Sequence, residues 1–150
     1  MSNKVLLTGI SGWIAKHTAI ELLNSNYEVL GTVRNKNLID QTKETIGKYA
    51  STDKLSFIEL DLVKDDGWND AAKGCKYIFH IASPFPMKVS NNREILLPPA
   101  VDGTLRVLKA GVSAGVEQII KTSSIVAMFR KPNRSNPYTC LLYTSPSPRD

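Results

Sequence analysis

The segment "KVLLTGISGWIAKH", residues 4–17, limits what this chain can fold into more than any other stretch. A run of apolar residues ends at Thr8 and passes through Gly9, Gly12 and Ala15, spaced by three, directly into a helical pattern. Where a strand gives way to a helix, each small residue has a physical role. Gly9 permits the sharp turn, Gly12 lets the backbone approach a pyrophosphate, and Ala15 lets helix and strand pack closely. The helix N-terminus then offers free N–H groups and a partial positive charge to the phosphates. The plainer reading is a tight turn that happens to use glycines. A phosphate loop of the Gly-Lys-Ser/Thr kind is excluded, because Lys16 follows Ala15.

The rest of the chain continues the alternation of strand and helix. Short runs rich in Val, Ile, Leu, Phe and Tyr occur at 4–8, 27–33, 55–60, 76–82 and 117–124. Several are continuously apolar, as expected where helices cover both faces of a parallel sheet. Between the first two, Ala15, Ala19, Leu22 and Leu23 fall on one helical face that Asn24 and Asn26 terminate. The connection over 36–50 is polar and a weaker helix, and Trp68 to Lys73 reads as a short helical turn closed by Gly74. After Pro98 and Pro99, the spacing of Val101, Leu105, Leu108 and Val112 predicts a longer apolar stripe ending near Gly115. Five strands and four crossovers predict an α/β fold: a Rossmann-type, doubly wound parallel sheet.

Composition narrows the function classes. At 150 residues the chain buries one core and does not promise two. No stretch reaches the roughly 20 apolar residues that span a bilayer, and "MSNKVLLTGISG" lacks the pattern of a secretion signal. The expectation is a cytoplasmic protein with no membrane partner. Cys75 and Cys140 form neither a disulfide framework nor a metal spacing, and His17 and His80 lie in no Cys/His cluster, so no metal is expected. The net charge of +5 is spread from Lys4 to Arg149 and not gathered on one stripe, which argues against nucleic acid. Basic groups near a phosphorylated cofactor account for part of the excess.

Cofactor choice is read past the second strand, where an acidic residue would bond the ribose 2′-OH of NAD. This chain has "GTVRN" there, so Arg34, with Lys36 close by, can pair with a 2′-phosphate. NADP is favoured over NAD; the plainer reading of Arg34 is an exposed strand-end arginine.

These motifs, in this order, carry a family resemblance. Thr8-Gly9-x-x-Gly12-x-x-Ala15 resembles the cofactor turn of the extended short-chain dehydrogenases/reductases, with alanine for the usual third glycine. "TVRN", the Asp61-Leu62 pair, "HIASP" and "VDGTLRVLKAGVSAGVEQIIKTSSIVAMF" resemble the dihydroflavonol reductase-like branch of the NAD-dependent epimerase/dehydratase family. The resemblance covers about residues 1–130. It implies that Thr8, Gly9, Ser11, Gly12, Trp13 and Ile14 form the cofactor turn, that Asp61 and Leu62 flank the adenine, and that Ala82 and Ser83 line the ribose side. On physical grounds alone Asp61 is equally a helix cap and His80 a core histidine.

In that family a serine ending the fifth strand holds the carbonyl oxygen, and a tyrosine in a Tyr-x-x-x-Lys motif protonates it. Ser124 matches the serine, with Ser123 the runner-up. Neither Tyr138 nor Tyr143 has a lysine four residues on. The closing "CLLYTSPSPRD", Cys140 to Asp150, is similar to a translated sequencing-library adapter. The expectation is therefore the N-terminal part of an NAD(P)-binding domain over 1–139, truncated after the fifth strand and inactive by itself, with a non-native tail over 140–150. For the whole protein the resemblance implies an NADPH-dependent reduction of a ketone or aldehyde by a monomer or homodimer. A nucleotide-sugar epimerase or dehydratase and a non-catalytic dinucleotide-binding regulator are the alternatives. "SPFPMKVSNNREI", residues 83–95, reads as either the substrate mouth or a surface loop.

Overall fold

In the computed structural model, which describes residues 3–83 and 98–124, β1 (Lys4–Thr8) lies in the middle of a parallel sheet. β2 (Glu28–Val33) and β3 (Leu55–Glu59) follow on one side, β4 (Tyr77–His80) and β5 (Gln118–Lys121) on the other, in the order β3-β2-β1-β4-β5. The connecting helices are α1 (Trp13–Asn24), α2 (Ile39–Gly47), α3 (Trp68–Ala72) and α4 (Gly103–Ala114). Single helical turns at Lys36–Leu38 and Pro98–Asp102 lead into α2 and α4. No helix among the described residues is long and apolar enough to cross a membrane.

Alternation along the central strand divides the interior into two layers. Val5 and Leu7 face α1 and α2 together with Ile10, Ala15, Ala19, Val29, Val33 and Ile46. Leu6 points the other way, to a cluster of Leu60, Leu62, Trp68, Ala72, Ile78 and Val107 beneath α3 and α4. The polar 36–50 connection forms a helix because Ile46 anchors it in the first layer with no exposed surface.

The strands end sooner than their apolar runs. The run expected over 76–82 stops at His80 because the N–H groups of Ile81 and Ala82 donate to the Thr8 hydroxyl and not to a neighbouring strand. The run over 117–124 stops at Lys121, on the sheet's edge, where pairing with β4 ends at His80.

The apolar stripe expected on α4 is not its buried face. Val101, Leu105 and Val112 are exposed by 48%, 44% and 77%, while Gly103, Val107, Ala110 and Gly111 are buried. Closeness of approach decides this. A Cβ on Gly111 would stand 2.6 Å from Ile119 Cδ1 and 2.9 Å from Ile78 Cδ1, so the helix can lie this close to the sheet because the buried face carries small residues beside Val107.

Candidate dinucleotide site

The strand order reverses between β1 and β4, because the chain returns from β3 at one edge to pair with β1 again. In open α/β sheets the crevice at such a point, beyond the carboxyl ends of the strands, takes the ligand. The turn Gly9 to Gly12 sits there. Gly9 has φ +71°, the left-handed region that favours glycine, and a Cβ on it would lie 2.9 Å from Ala82 Cβ. Gly12 N–H donates to the Gly9 carbonyl at 2.9 Å and closes the turn.

The turn is clamped from both sides. From β2, Thr32 Oγ1 accepts the Gly9 N–H at 3.0 Å and the Thr32 carbonyl accepts the Ile10 N–H at 3.0 Å. The Ile10 side chain lies over β2 where residue 31 is glycine; a Cβ there would meet Ile10 Cδ1 at 2.5 Å. Toward β4, Thr8 Oγ1 accepts the N–H groups of Ile81 and Ala82 at 3.1 and 3.0 Å. Thr8 is wholly buried, so its hydroxyl shapes the turn from inside.

Beyond the turn, α1 begins at Trp13 with Gly12 as its N-cap and no side chain capping it. The first amides of a helix have no intrahelical acceptor, so this end suits a pyrophosphate. Gly12, Trp13 and Ile14 are exposed and Ser11 is half-buried. Trp13 packs edge-on to His17, with ring centroids 4.7 Å apart.

A groove of about 650 Å³ opens past β2 and β3, lined by Arg34, Lys36, Phe57, Glu59, Asp61 and Lys64 among others. Two of its carboxylates are engaged: Glu59 pairs with Lys36 at 3.4 Å, and Asp61 Oδ1 accepts the Val63 N–H at 3.1 Å. Arg34 is exposed and makes no hydrogen bond or ion pair among the described residues. A second hollow, about 370 Å³, lies at the opposite ends of the strands around Asn3, Asn26, Glu28 and Lys54, away from the crevice.

Asp61 acts as a local cap of its own loop. The Trp68 indole N–H lies 3.3 Å from the Asp61 carbonyl and 3.1 Å from that of Lys64. Arg106 on α4 donates to the Leu62 carbonyl at 2.8 Å and pairs with Asp65. Leu62 turns its side chain into the core, and its carbonyl faces α4. Ala82 is half-buried against Gly9, and Ser83 is exposed.

Ser123 and Ser124 follow β5 at the same end of the sheet as the glycine turn, and both are exposed. The Thr122 N–H donates to the His80 carbonyl at 3.1 Å, which keeps this exit beside β4. Tyr138, Tyr143, the segment 84–95 and the closing 140–150 lie outside the described residues. Among the described residues no cluster of three or more His, Cys, Asp or Glu side chains could hold a metal. Burial, with a smaller effect from the Lys121 ammonium, pushes His80 down from 6.5 to about 4.

Sequence reasoning did not find Thr32, Trp68, Thr104 or Arg106. Thr32, Thr104 and Arg106 depend on partners brought close by the sheet and by α4, whereas Trp68 bonds to carbonyls of its own preceding loop. His80 was read only as a segment of the family motif or a core residue.

This strand order, with a positive-φ glycine turn at the reversal and an uncapped helix behind it, defines a dinucleotide-binding domain of the Rossmann type. Residues 5–149 match the model of the NAD dependent epimerase/dehydratase family, and the chain belongs to that family. It is 32% identical over 121 residues to dihydroflavonol 4-reductase of Zea mays, covering 80% of this chain and 34% of that protein. It is 37% identical over 134 residues to cinnamoyl-CoA reductase 1 of Petunia hybrida, covering 87% and 38%. The chain thus spans about a third of the length of the curated relatives it matches. Among solved structures, yeast methylglyoxal/isovaleraldehyde reductase Gre2 complexed with NADPH superposes with a TM-score of 0.73 at 30% identity, covering 84% of this chain and 38% of that one. Gre2 of Candida albicans in complex with NADPH gives 0.70 at 29%, covering 98% and 45%.

Proposed function

We propose that this chain supplies the NADPH-binding part of a reductase that converts a ketone or aldehyde to an alcohol. The observation that carries the reading is Arg34. It stands exposed and without a partner among the described residues, at the rim of a groove whose Glu59 and Asp61 are already engaged. A guanidinium in that state suits a ribose 2′-phosphate, and Lys36 adds charge beside it. The reductases among the relatives and the NADPH complexes among the structural neighbours support the same choice.

The residues fit the cofactor in three places. The Gly9–Gly12 turn and the amides of Trp13 and Ile14 would hold the pyrophosphate, the loop from Asp61 to Leu62 would flank the adenine, and Ala82 and Ser83 would border the ribose. When bound, reduced nicotinamide would supply a hydride to the carbonyl carbon, and the carbonyl oxygen would take up a proton. Ser124 is assigned to donate a hydrogen bond to that oxygen, stabilising the charge that develops on it, with Ser123 as the adjacent candidate. The proton donor is assigned to a Tyr-x-x-x-Lys motif of the whole protein, because none of the 5 tyrosines here has a lysine four residues on.

In this reading residues 1–139 are the NAD(P)-binding part and 140–150 an adapter-derived tail, although the family match itself runs to 149. Sequencing the source locus past the codon for Thr139 tests the division. The cofactor is tested by titration: Arg34→Asp is expected to weaken NADPH relative to NADH by about 10- to 100-fold, the scale of a charge-assisted contact. An unchanged ratio removes the 2′-phosphate contact.

A further inference from the structure

The polar groups at the crevice form a closed circuit in which each proton has one consistent place. Thr8 and His80 are direct partners in the β1–β4 register, so their side chains stand side by side on the face toward α4. Thr8 Oγ1 already accepts two amides, from Ile81 and Ala82. A hydroxyl has two lone pairs and one proton, so that proton is left for His80 Nδ1, 2.9 Å away. His80 Nδ1 must then be bare. A neutral ring carries its hydrogen on Nε2, which faces Thr104 Oγ1 at 3.4 Å. Thr104 can accept there because its own proton goes to the Ala100 carbonyl at 2.7 Å.

We propose that His80 is a positioning residue for the dinucleotide turn: as the Nε2–H tautomer it takes the Thr8 hydroxyl proton and so aims the Thr8 oxygen at the amides of Ile81 and Ala82. The consequence reaches the ligand through Ala82. Its Cα and Cβ stand 3.1 and 2.9 Å from where a Gly9 Cβ would be, so the Thr8 bonds set how close β4's exit lies to the turn. A proton on Nδ1 would force the Thr8 hydroxyl to rotate, and one of the two amides would lose its acceptor inside the protein. Burial disfavours the imidazolium and holds the ring in the state this geometry needs. The same ring ties Thr104, and so the start of α4, to the far side of the crevice.

This inference rests on the reading that the Gly9 turn holds the cofactor. Its test is a titration of NADPH and NADH with the full chain and four variants, together with ¹⁵N spectra of the imidazole. His80→Leu is expected to weaken both nucleotides by one common factor of about three to ten, the worth of a hydrogen bond, leaving the NADPH/NADH ratio unchanged. His80→Asn, whose Oδ1 can stand where Nδ1 stands, is expected to recover most of the loss. Thr8→Val is expected to match His80→Leu, and the double variant to be no weaker than the worse single one. The wild-type spectrum is expected to show a bare Nδ1 and a protonated Nε2. A proton on Nδ1, or equal losses in the Asn and Leu variants while the wild type binds normally, overturns the inference alone. A wild-type chain that binds neither nucleotide overturns the cofactor reading and this inference with it.

Discussion

The two strand exits that face the crevice are built differently. After β1 the backbone is held from both flanks: Thr32 takes the Gly9 amide, Ile10 lies over Gly31, and Ala82 abuts Gly9. After β5, Thr122 to Ser124 are exposed, and the bond from the Thr122 N–H to the His80 carbonyl ties this exit to the sheet. The glycine turn is thus over-determined by its own neighbours, whereas the serine exit follows a strand that has one pairing partner among the described residues. In the proposed reading the anchor for phosphate carries its rigidity locally, and the serine assigned to the carbonyl does not.

That contrast predicts unequal sensitivity. Gly9→Val should be the most damaging change, costing about 4 kcal/mol from left-handed backbone strain and overpacking against Ala82, as read by chemical denaturation. Loss near zero would mean that the turn can move away from β4, and the two exits would then be alike.

Acid should strike the same place. The folded protein holds His80 near 4, below its ordinary 6.5, so the unfolded chain binds the proton more readily between those values. Stability is therefore expected to be retained above about pH 6.5 and to fall by up to about 3 kcal/mol as pH drops toward 4, levelling below that. The slope attributable to His80 is the difference between wild type and His80→Asn across this window; identical slopes would place the acid sensitivity elsewhere.

Thr32→Val keeps the shape of the side chain and orphans the Gly9 amide, for an expected cost of about 1–2 kcal/mol in thermal or denaturant melts. At the other exit, Ser124→Ala should change stability by less than about 0.5 kcal/mol. In the whole protein the same change should reduce turnover of a carbonyl substrate. A Ser124→Ala variant as destabilised as Thr32→Val would erase the distinction between a clamped turn and an open exit.

Much of this was legible in residue order. The spacing of Gly9, Gly12 and Ala15 after an apolar run, and Arg34 after the second strand, mark the places where nucleotide chemistry would be found, because turn geometry and charge are local properties. The strands, α1 and the short α3 follow from the same local patterning. The face of α4 was misjudged because periodicity counts large apolar side chains, and here the buried face is the one with Gly103 and Gly111, where helix and sheet come closest. The His80–Thr8 pair, 72 residues apart, had no sequence signal beyond the family motif.

By itself, then, the sequence determined that β1 ends in a phosphate-type turn, that a basic residue follows β2, and that strands and helices alternate, since each depends on residues a few positions apart. Only the tertiary structure decided which strands flank β1, and with that which hydroxyl clamps which amide and which ring nitrogen of His80 stays bare. Hydrogen-bond partners in a parallel sheet are supplied by distant segments, and a proton's place is settled only when every donor and acceptor around it is counted.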